Sequence, residues 1–306
     1  MLVLIGGALW ELRGQLPSIL AVWRSTHPRW GLVALASGVT LATYALLIET
    51  WRRTLVALGG RLRARDAAVI WLGSNLARYI PGIGWQIGAM GAMAQRRGVP
   101  VAVSTAASLL VTIVNTFTGL AIFLGGILLL AVAPSGVPSL NARGLTLLVF
   151  GALALLASPL LMPRLLPIVA RLTGRDLTLP RFSARALLVA LVGTSVAWLS
   201  YGVAFWILAR AVLPGDATRS LVGCITVYTS SYLVGLFNPM PAGIGAAEPV
   251  MVLLAPQLGI ATTAEATVLA LFVRAWRTIM EIVPNLIVLG IASLAERDMN
   301  HQGEGA

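Results

Sequence analysis

Three charged side chains stand close together in the last long apolar stretch of the sequence: Arg274, Arg277 and Glu281, within residues 264–295. Spacings of three, four and seven put them on one face of a helix. An ionised group at the centre of a membrane helix costs about 2.5–3.5 kcal/mol on insertion scales, which makes such groups functional candidates by default. Arg277 and Glu281 form an i,i+4 pair able to neutralise itself, and Arg274 is then left without a partner in its own helix. Glu248, at the expected start of a half-helix, is its natural partner. Because a helix N-terminus attracts anions, the competing reading makes Glu248 a structural carboxylate of the first turn. Arg78 lies three residues before Pro81 and either lines the same interior or snorkels to the membrane surface. Asn75 and Gln86, with Asn115, Asn238 and Asn285, add neutral hydrogen-bonding capacity, for which the plainer role is helix–helix adhesion. Arginine binds phosphate oxygens bidentately, so net positive charge inside a membrane suits a phosphate-bearing headgroup. A cavity between lipid-facing helices suits an amphiphile better than a free ion.

These groups are positioned by a phrase that occurs twice. Pro81-Gly82-Ile83-Gly84 returns as Pro241-Ala242-Gly243-Ile244-Gly245, each time interrupting a long apolar segment. At an offset of 161 residues Gly82, Gly84, Met90, Ala94 and Gly98 fall on Gly243, Gly245, Met251, Ala255 and Gly259. Paired Gly/Pro-interrupted hydrophobic segments in corresponding halves are the mark of a transporter-like fold with its site near the bilayer midplane. The plainer reading is that Gly82, Gly84, Gly243 and Gly245 serve turns and close packing; the two are compatible. At the same offset Arg274 corresponds to Ile113 and Glu248 to Ile87. The scaffold is therefore two-fold and its charges are not, which points to one asymmetric site.

A chain of 306 residues that is 58% hydrophobic and 11% charged, with mean hydropathy +0.88, has more apolar surface than a water-soluble core can hide. It is expected to be a single all-α polytopic membrane domain over residues 1–306. Spanning the hydrocarbon takes about 20 apolar residues, and five stretches qualify: 30–50, 101–132, 144–162, 186–213 and 264–295. The stretches 67–94 and 220–259 carry the breaks and read as pairs of half-helices. Arginines collect in 51–66, at Arg96 and Arg97, and in 163–185, so all three clusters are expected on the cytoplasmic side. Segment 67–94 must then enter and return. The expected plan is an inverted repeat of helix–re-entrant hairpin–helix units, 30–132 and 186–295. Residues 133–185 link them through helix 144–162 and a basic loop, and 296–306 form a polar tail. Leu9, Leu12, Leu16, Ile19, Leu20 and Trp23 recur at helical spacing, so 1–29 reads as an interfacial amphipathic helix or a short extra span. No signal peptide is read there.

The net charge of +11 is better explained by orientation than by nucleic acid, which is not an expected partner. One cysteine, Cys224, excludes an internal disulfide. With His27 and His301 both outside the apolar runs, no metal site or other cofactor is expected.

The two motif regions resemble the lysylphosphatidylglycerol synthetase membrane-region family of flippase-like proteins. The resemblance rests on Asn75 with Tyr79-Ile-Pro-Gly82, on Arg97-Gly-Val99, and on Pro241-Ala-Gly-Ile-Gly-Ala-Ala-Glu248, Gly259 and Arg274. It implies a flippase-like protein of a bacterial or archaeal cytoplasmic membrane, with roles for Glu248 and Arg274. Many relatives follow the first Pro-Gly with an acidic residue and an arginine; here Trp85-Gln86-Ile87-Gly88 stands there, which argues against a mechanism relying on that acid. The soluble aminoacyl-transferring domain of bifunctional relatives is not found in these residues, so lysyl transfer by this chain is not expected.

The expected function is transport, not catalysis: binding and moving an anionic phospholipid or a lipid-linked (polyprenyl phosphate) sugar headgroup. No phosphate-binding loop of the G-x-x-x-x-G-K-[ST] type occurs and the chain has no lysine, so direct ATP driving is not expected. The alternatives are an accessory subunit for a lipid- or glycan-modifying enzyme, docked through the basic loops, and a membrane-embedded lipid transferase using Glu248 as base.

Overall fold

The computed structural model describes residues 17–18, 20–79, 85–132, 183–213, 219–236 and 245–303; for residues 78, 79 and 292–303 the backbone alone is described. Every regular element among these is helical. Helix α1 (Trp30–Ala57), α4 (Val101–Val132) and α5 (Ala184–Val212) are long and apolar enough to cross a membrane. Stretch 264–295 lies within α8 (Thr263–Gly303). Stretch 144–162 and most of 1–29 fall outside the described residues; residues 20–25 are helical, with Leu20 and Trp23 exposed.

Both interrupted segments are pairs of short helices. The first comprises α2 (Ala64–Asn75), a tighter 3₁₀ turn (Leu76–Tyr79) and α3 (Trp85–Gln95); the second comprises α6 (Leu221–Leu236) and α7 (Ala247–Gln257). At 1.5 Å per residue α2, α3 and α7 are each about 16–18 Å long and α6 about 24 Å, against about 30 Å of hydrocarbon. The two ends of each pair meet. Arg97, just past α3, bonds Asp66 in the first turn of α2, and Arg219, just before α6, donates from Nε to the Ile260 carbonyl past α7 at 3.1 Å.

The ends of α3 and α7 are built alike. Gly98 (φ +78°) and Gly259 (φ +65°) turn the chain out of helix. Val99 N then donates to Ala94 O at 3.1 Å, and Ile260 N to Ala255 O at 2.9 Å. This six-residue closure with a left-handed residue satisfies carbonyls that a helix end leaves open, and Val99 and Ile260 are both buried behind it. The two closures are 161 residues apart.

Packing between helices also comes in corresponding pairs. Contacts of α1 with α2, α3 with α4, α4 with α5 and α1 with α4 are matched by α5 with α6, α7 with α8, α8 with α1 and α5 with α8. The halves interlock: α4 lies on α6, and α8 lies on α2. Helices α1 and α5 form the most extensive contact and run antiparallel. Arg29 N donates to Ala211 O at one end (2.9 Å) and Ser183 Oγ to Ala57 O at the other (3.3 Å). Close approach is set by glycine: Gly193 of α5 lies on Thr50 of α1, and Gly119 of α4 lies against the Trp198 indole, where an added Cβ would come within 2.6 Å. Small residues at such crossings are how helices associate without a hydrophobic gradient between them. Two apolar cores result. One gathers α5 to α8 with the start of α1, and the other gathers the end of α1 with α2, α3 and the starts of α4 and α5.

Candidate functional site

Helix α8 begins at a capping box, in which Thr262 N donates to Glu265 Oε2 (2.8 Å) and Glu265 N to Thr262 Oγ1 (3.3 Å). From that fixed start, Arg274, Arg277 and Glu281 follow along the helix, as their spacing predicts. Arg277 Nη2 lies 3.2 Å from Glu281 Oε1, with both side chains 15% exposed. Its guanidinium carbon also lies 5.2 Å from the centre of the Tyr232 ring, a cation–π distance.

Glu248 makes both contacts weighed for it. In the first turn of α7, its Oε2 accepts from Gly245 N at 3.0 Å, and Gly245 has φ +80°. Its Oε1 faces Arg274 Nε at 3.7 Å, an ion pair longer than a hydrogen bond. One carboxylate thus closes the turn at the start of α7 and balances the arginine that its sequence position suggested. Two carboxylates stand against two guanidiniums, so these four groups carry no net charge. The net positive field expected from the arginines is compensated at both of the described ones. Arg78 sits in the 3₁₀ turn, its side chain outside the described residues, as are Gly82, Gly84 and Gly243.

The first interrupted segment brings in a neutral pair: Gln86 Nε2 of α3 donates to Asn75 Oδ1 of α2 at 2.7 Å, and Asn75 is buried. This bond spans the break and holds the two short helices together.

Two cavities lie side by side among these residues. The smaller, about 20 Å³, is walled by Glu248, Arg274, Met251 and Ser231. The larger, about 60 Å³, is walled by Asn75, Asn115, Thr40 and Glu281 together with aromatic rings. Tyr228, Tyr232 and Arg277 line both and form the partition. At about 10–15 Å³ per water, the larger holds roughly four to six waters.

The aromatic wall was not anticipated from sequence. Four of the chain's five tyrosines, Tyr44, Tyr201, Tyr228 and Tyr232, line the larger cavity with Trp71, Trp198 and Trp276. Tyr44 lies 5.7 Å from Trp71 and 6.3 Å from Tyr201, Tyr201 lies 5.8 Å from Tyr228, and Trp198 meets Tyr232 edge-on at 5.2 Å and 88°. Two indoles are fixed by hydrogen bonds: Trp198 Nε1 donates to Asn115 O (2.8 Å) and Trp276 Nε1 to Ser37 Oγ (2.9 Å). The missed signal was position. Membrane tyrosines and tryptophans concentrate at interfaces, whereas Trp198, Tyr201, Tyr228 and Tyr232 stand within apolar segments at i,i+3 and i,i+4 spacings.

The family model for the lysylphosphatidylglycerol synthase TM region matches residues 1–284. The chain belongs to this family. Of the residues that carry the resemblance, Asn75 lines the larger cavity, and Glu248 and Arg274 line the smaller. Membership puts the chain among membrane proteins of lipid modification or transport. No curated protein matches it.

Proposed function

We propose that the chain is a flippase-like lipid transporter and not an enzyme. It binds the anionic headgroup of a phospholipid or of a lipid-linked sugar between its interrupted segments and passes it across a bacterial or archaeal cytoplasmic membrane. The observation that carries this reading is the Glu248–Arg274 pair, set at a half-helix start on a cavity inside an apolar helical bundle. Charges and irregular backbone persist at membrane depth only where protein or a wet cavity receives them. At 3.7 Å the pair is longer than a hydrogen bond, and a phosphate reaching the guanidinium would take the place of the Glu248 carboxylate.

The inverted-repeat plan has support in the packing. Helices α1 and α5, which are equivalents under the repeat, lie antiparallel, and each short-helix pair begins and ends at one place. Arg97–Asp66 closes the first pair near the end of α1, whereas Arg219–Ile260 closes the second near the end of α5, at the opposite face. Two re-entrant hairpins entering from opposite sides account for this, with the Arg52–Arg65 cluster cytoplasmic. Membrane lipids are the partners required; nucleic acid is not.

The test is native mass spectrometry of gently purified protein, with wild type beside Arg274→Ala and Glu248→Gln, followed by a fluorescent-lipid quenching assay in proteoliposomes. A phosphate-headgroup lipid held by wild type and lost from Arg274→Ala, with lipid movement lost in parallel, is the expected result. Equal retention of bulk lipid in all three, with unchanged lipid movement, would overturn the proposal.

A further inference from the structure

The two ion pairs at the partition, Glu248–Arg274 and Glu281–Arg277, sum to zero charge, so an anionic guest upsets the balance. Arg274 and Arg277 both line the smaller cavity, and a phosphate bound at the first also meets the second. The sum then becomes negative at a depth where unpaired charge is costly. Neutrality returns if one carboxylate takes a proton, which is how a buried acid without a counter-ion avoids the cost of its charge.

The two carboxylates are not equally suited to that. Glu248 sits in the first turn of α7 and accepts from Gly245 N at 3.0 Å, so a helix start and a backbone donor support its negative charge beside Arg274. Glu281 stands in the interior of α8, where backbone N–H groups are engaged in the helix and no helix end supports a charge. Arg277 donates to Glu281 Oε1 from Nη2 at 3.2 Å and from Nε at 3.4 Å, both longer than a charge-assisted bond of about 2.7–2.9 Å. By contrast, Arg52 and Arg53 hold Glu49 of α1 at 2.7 and 2.6 Å. The charge of Glu281 also acts on the hydroxyls of Tyr44 of α1 and Tyr201 of α5, which line the larger cavity with it. The other titratable groups lining that cavity, among the described residues, are Tyr228 and Tyr232 of α6 and Arg277 itself. There α2 brings neutral Asn75 and Trp71, and α7 brings Glu248 to the neighbouring cavity. A protonated acid needs acceptors as well as donors, and phenol hydroxyls are both. The larger cavity, about 60 Å³, has room for roughly four to six waters to hand it a proton.

We propose that Glu281 couples lipid movement to a proton: as an anionic headgroup engages Arg277 beside Arg274, Glu281 leaves Arg277 and takes one proton from water, so that lipid anion and proton move together without net charge. This rests on the transport reading above and adds the coupling ion. Because the loaded state binds one proton more than the empty one, lipid affinity falls as pH rises, by up to about tenfold per pH unit. A neutral complex is driven by a pH difference across the membrane and not by the membrane potential, which acts only on net charge.

The experiment measures binding of phosphatidylglycerol, a probe whose phosphodiester stays ionised, to the full chain in detergent across the neutral pH range, with proton uptake read by a dye in weak buffer. Movement of fluorescent phosphatidylglycerol is then followed in proteoliposomes under an imposed pH difference or a potassium–valinomycin potential. The expected result is uptake of about one proton per lipid bound, affinity that falls with pH, and movement that answers to the pH difference alone. Glu281→Gln, which imitates the protonated acid, should hold the lipid with pH slope and proton uptake gone. Glu281→Asp should restore both, which separates titration from a folding defect. A slope kept in Glu281→Gln and lost in Glu248→Gln overturns the assignment to Glu281. Affinity independent of pH and no proton uptake, with lipid still lost from Arg274→Ala, overturns the coupling and leaves the transport reading standing, and so does movement driven by the potential alone. No lipid held above bulk, and no effect of Arg274→Ala, overturns both.

Discussion

Replacing Arg277 by Met keeps most of the side chain's volume and deletes its charge, leaving Glu281 without that partner in a site where each side chain is 15% exposed. At 3.2 Å and an effective dielectric of about 20, the attraction lost is about 5 kcal/mol, offset in wild type by desolvation of both ions. The cation–π contact with Tyr232 adds about 0.5–2 kcal/mol. Removing one member of a buried pair typically costs about 3–5 kcal/mol, whereas replacing both by apolar groups is often neutral. Arg277→Met is therefore expected to lower stability by about 3 kcal/mol, and Arg277→Met with Glu281→Leu to recover most of it. Stability is read by SDS titration of tryptophan fluorescence, and lipid movement in proteoliposomes is measured beside it. The double variant should be stable and inactive, because it seals the partition between the two cavities with apolar groups. A double variant as unstable as the single one would refute the reasoning, since the pair would then be held by contacts other than mutual neutralisation. A stable, fully active double variant would show that the partition's charges have no part in transport.

Gly98→Ala and Gly259→Ala each place a Cβ at positive φ, and each is expected to destabilise by about 1 kcal/mol; similar losses in the same titration test the equivalence of the two closures, and a clear inequality counts against it. Gly119→Ala should cost about 1–3 kcal/mol through overpacking, because its Cβ would fall 2.6 Å from the Trp198 ring. As that ring walls the larger cavity, lipid retention should weaken in the same variant, and unaltered retention would separate the crossing from the site.

Much of this architecture was legible because helix breakers are conspicuous in apolar sequence. The repeat offset located both interrupted segments and the matched glycine closures, and the i,i+4 rule paired Arg277 with Glu281. Glu248 was matched to Arg274 by charge alone, across two elements. The tyrosine wall was not legible, for a physical reason. A membrane helix is apolar on most of its surface, so the period that marks the inward face of a soluble helix is faint. On α1 the buried face carries Thr40, Thr43, Thr50 and Thr54, while Leu35 and Leu41 face outward. Only packing of α1, α2, α5, α6 and α8 together turns scattered rings into one cavity.

The interlocking of the halves bears on how the chain is made. When α2 and α3 leave the ribosome they are too short to cross the bilayer, and part of the surface α2 packs on belongs to α8, which is made later. Until α8 arrives, Asn75 and Gln86 must be shielded by their own bond or by translocon water, and α4 awaits α6 in the same way. Assembly is thus a late, chain-wide event, in which neither half reaches its final packing without the other.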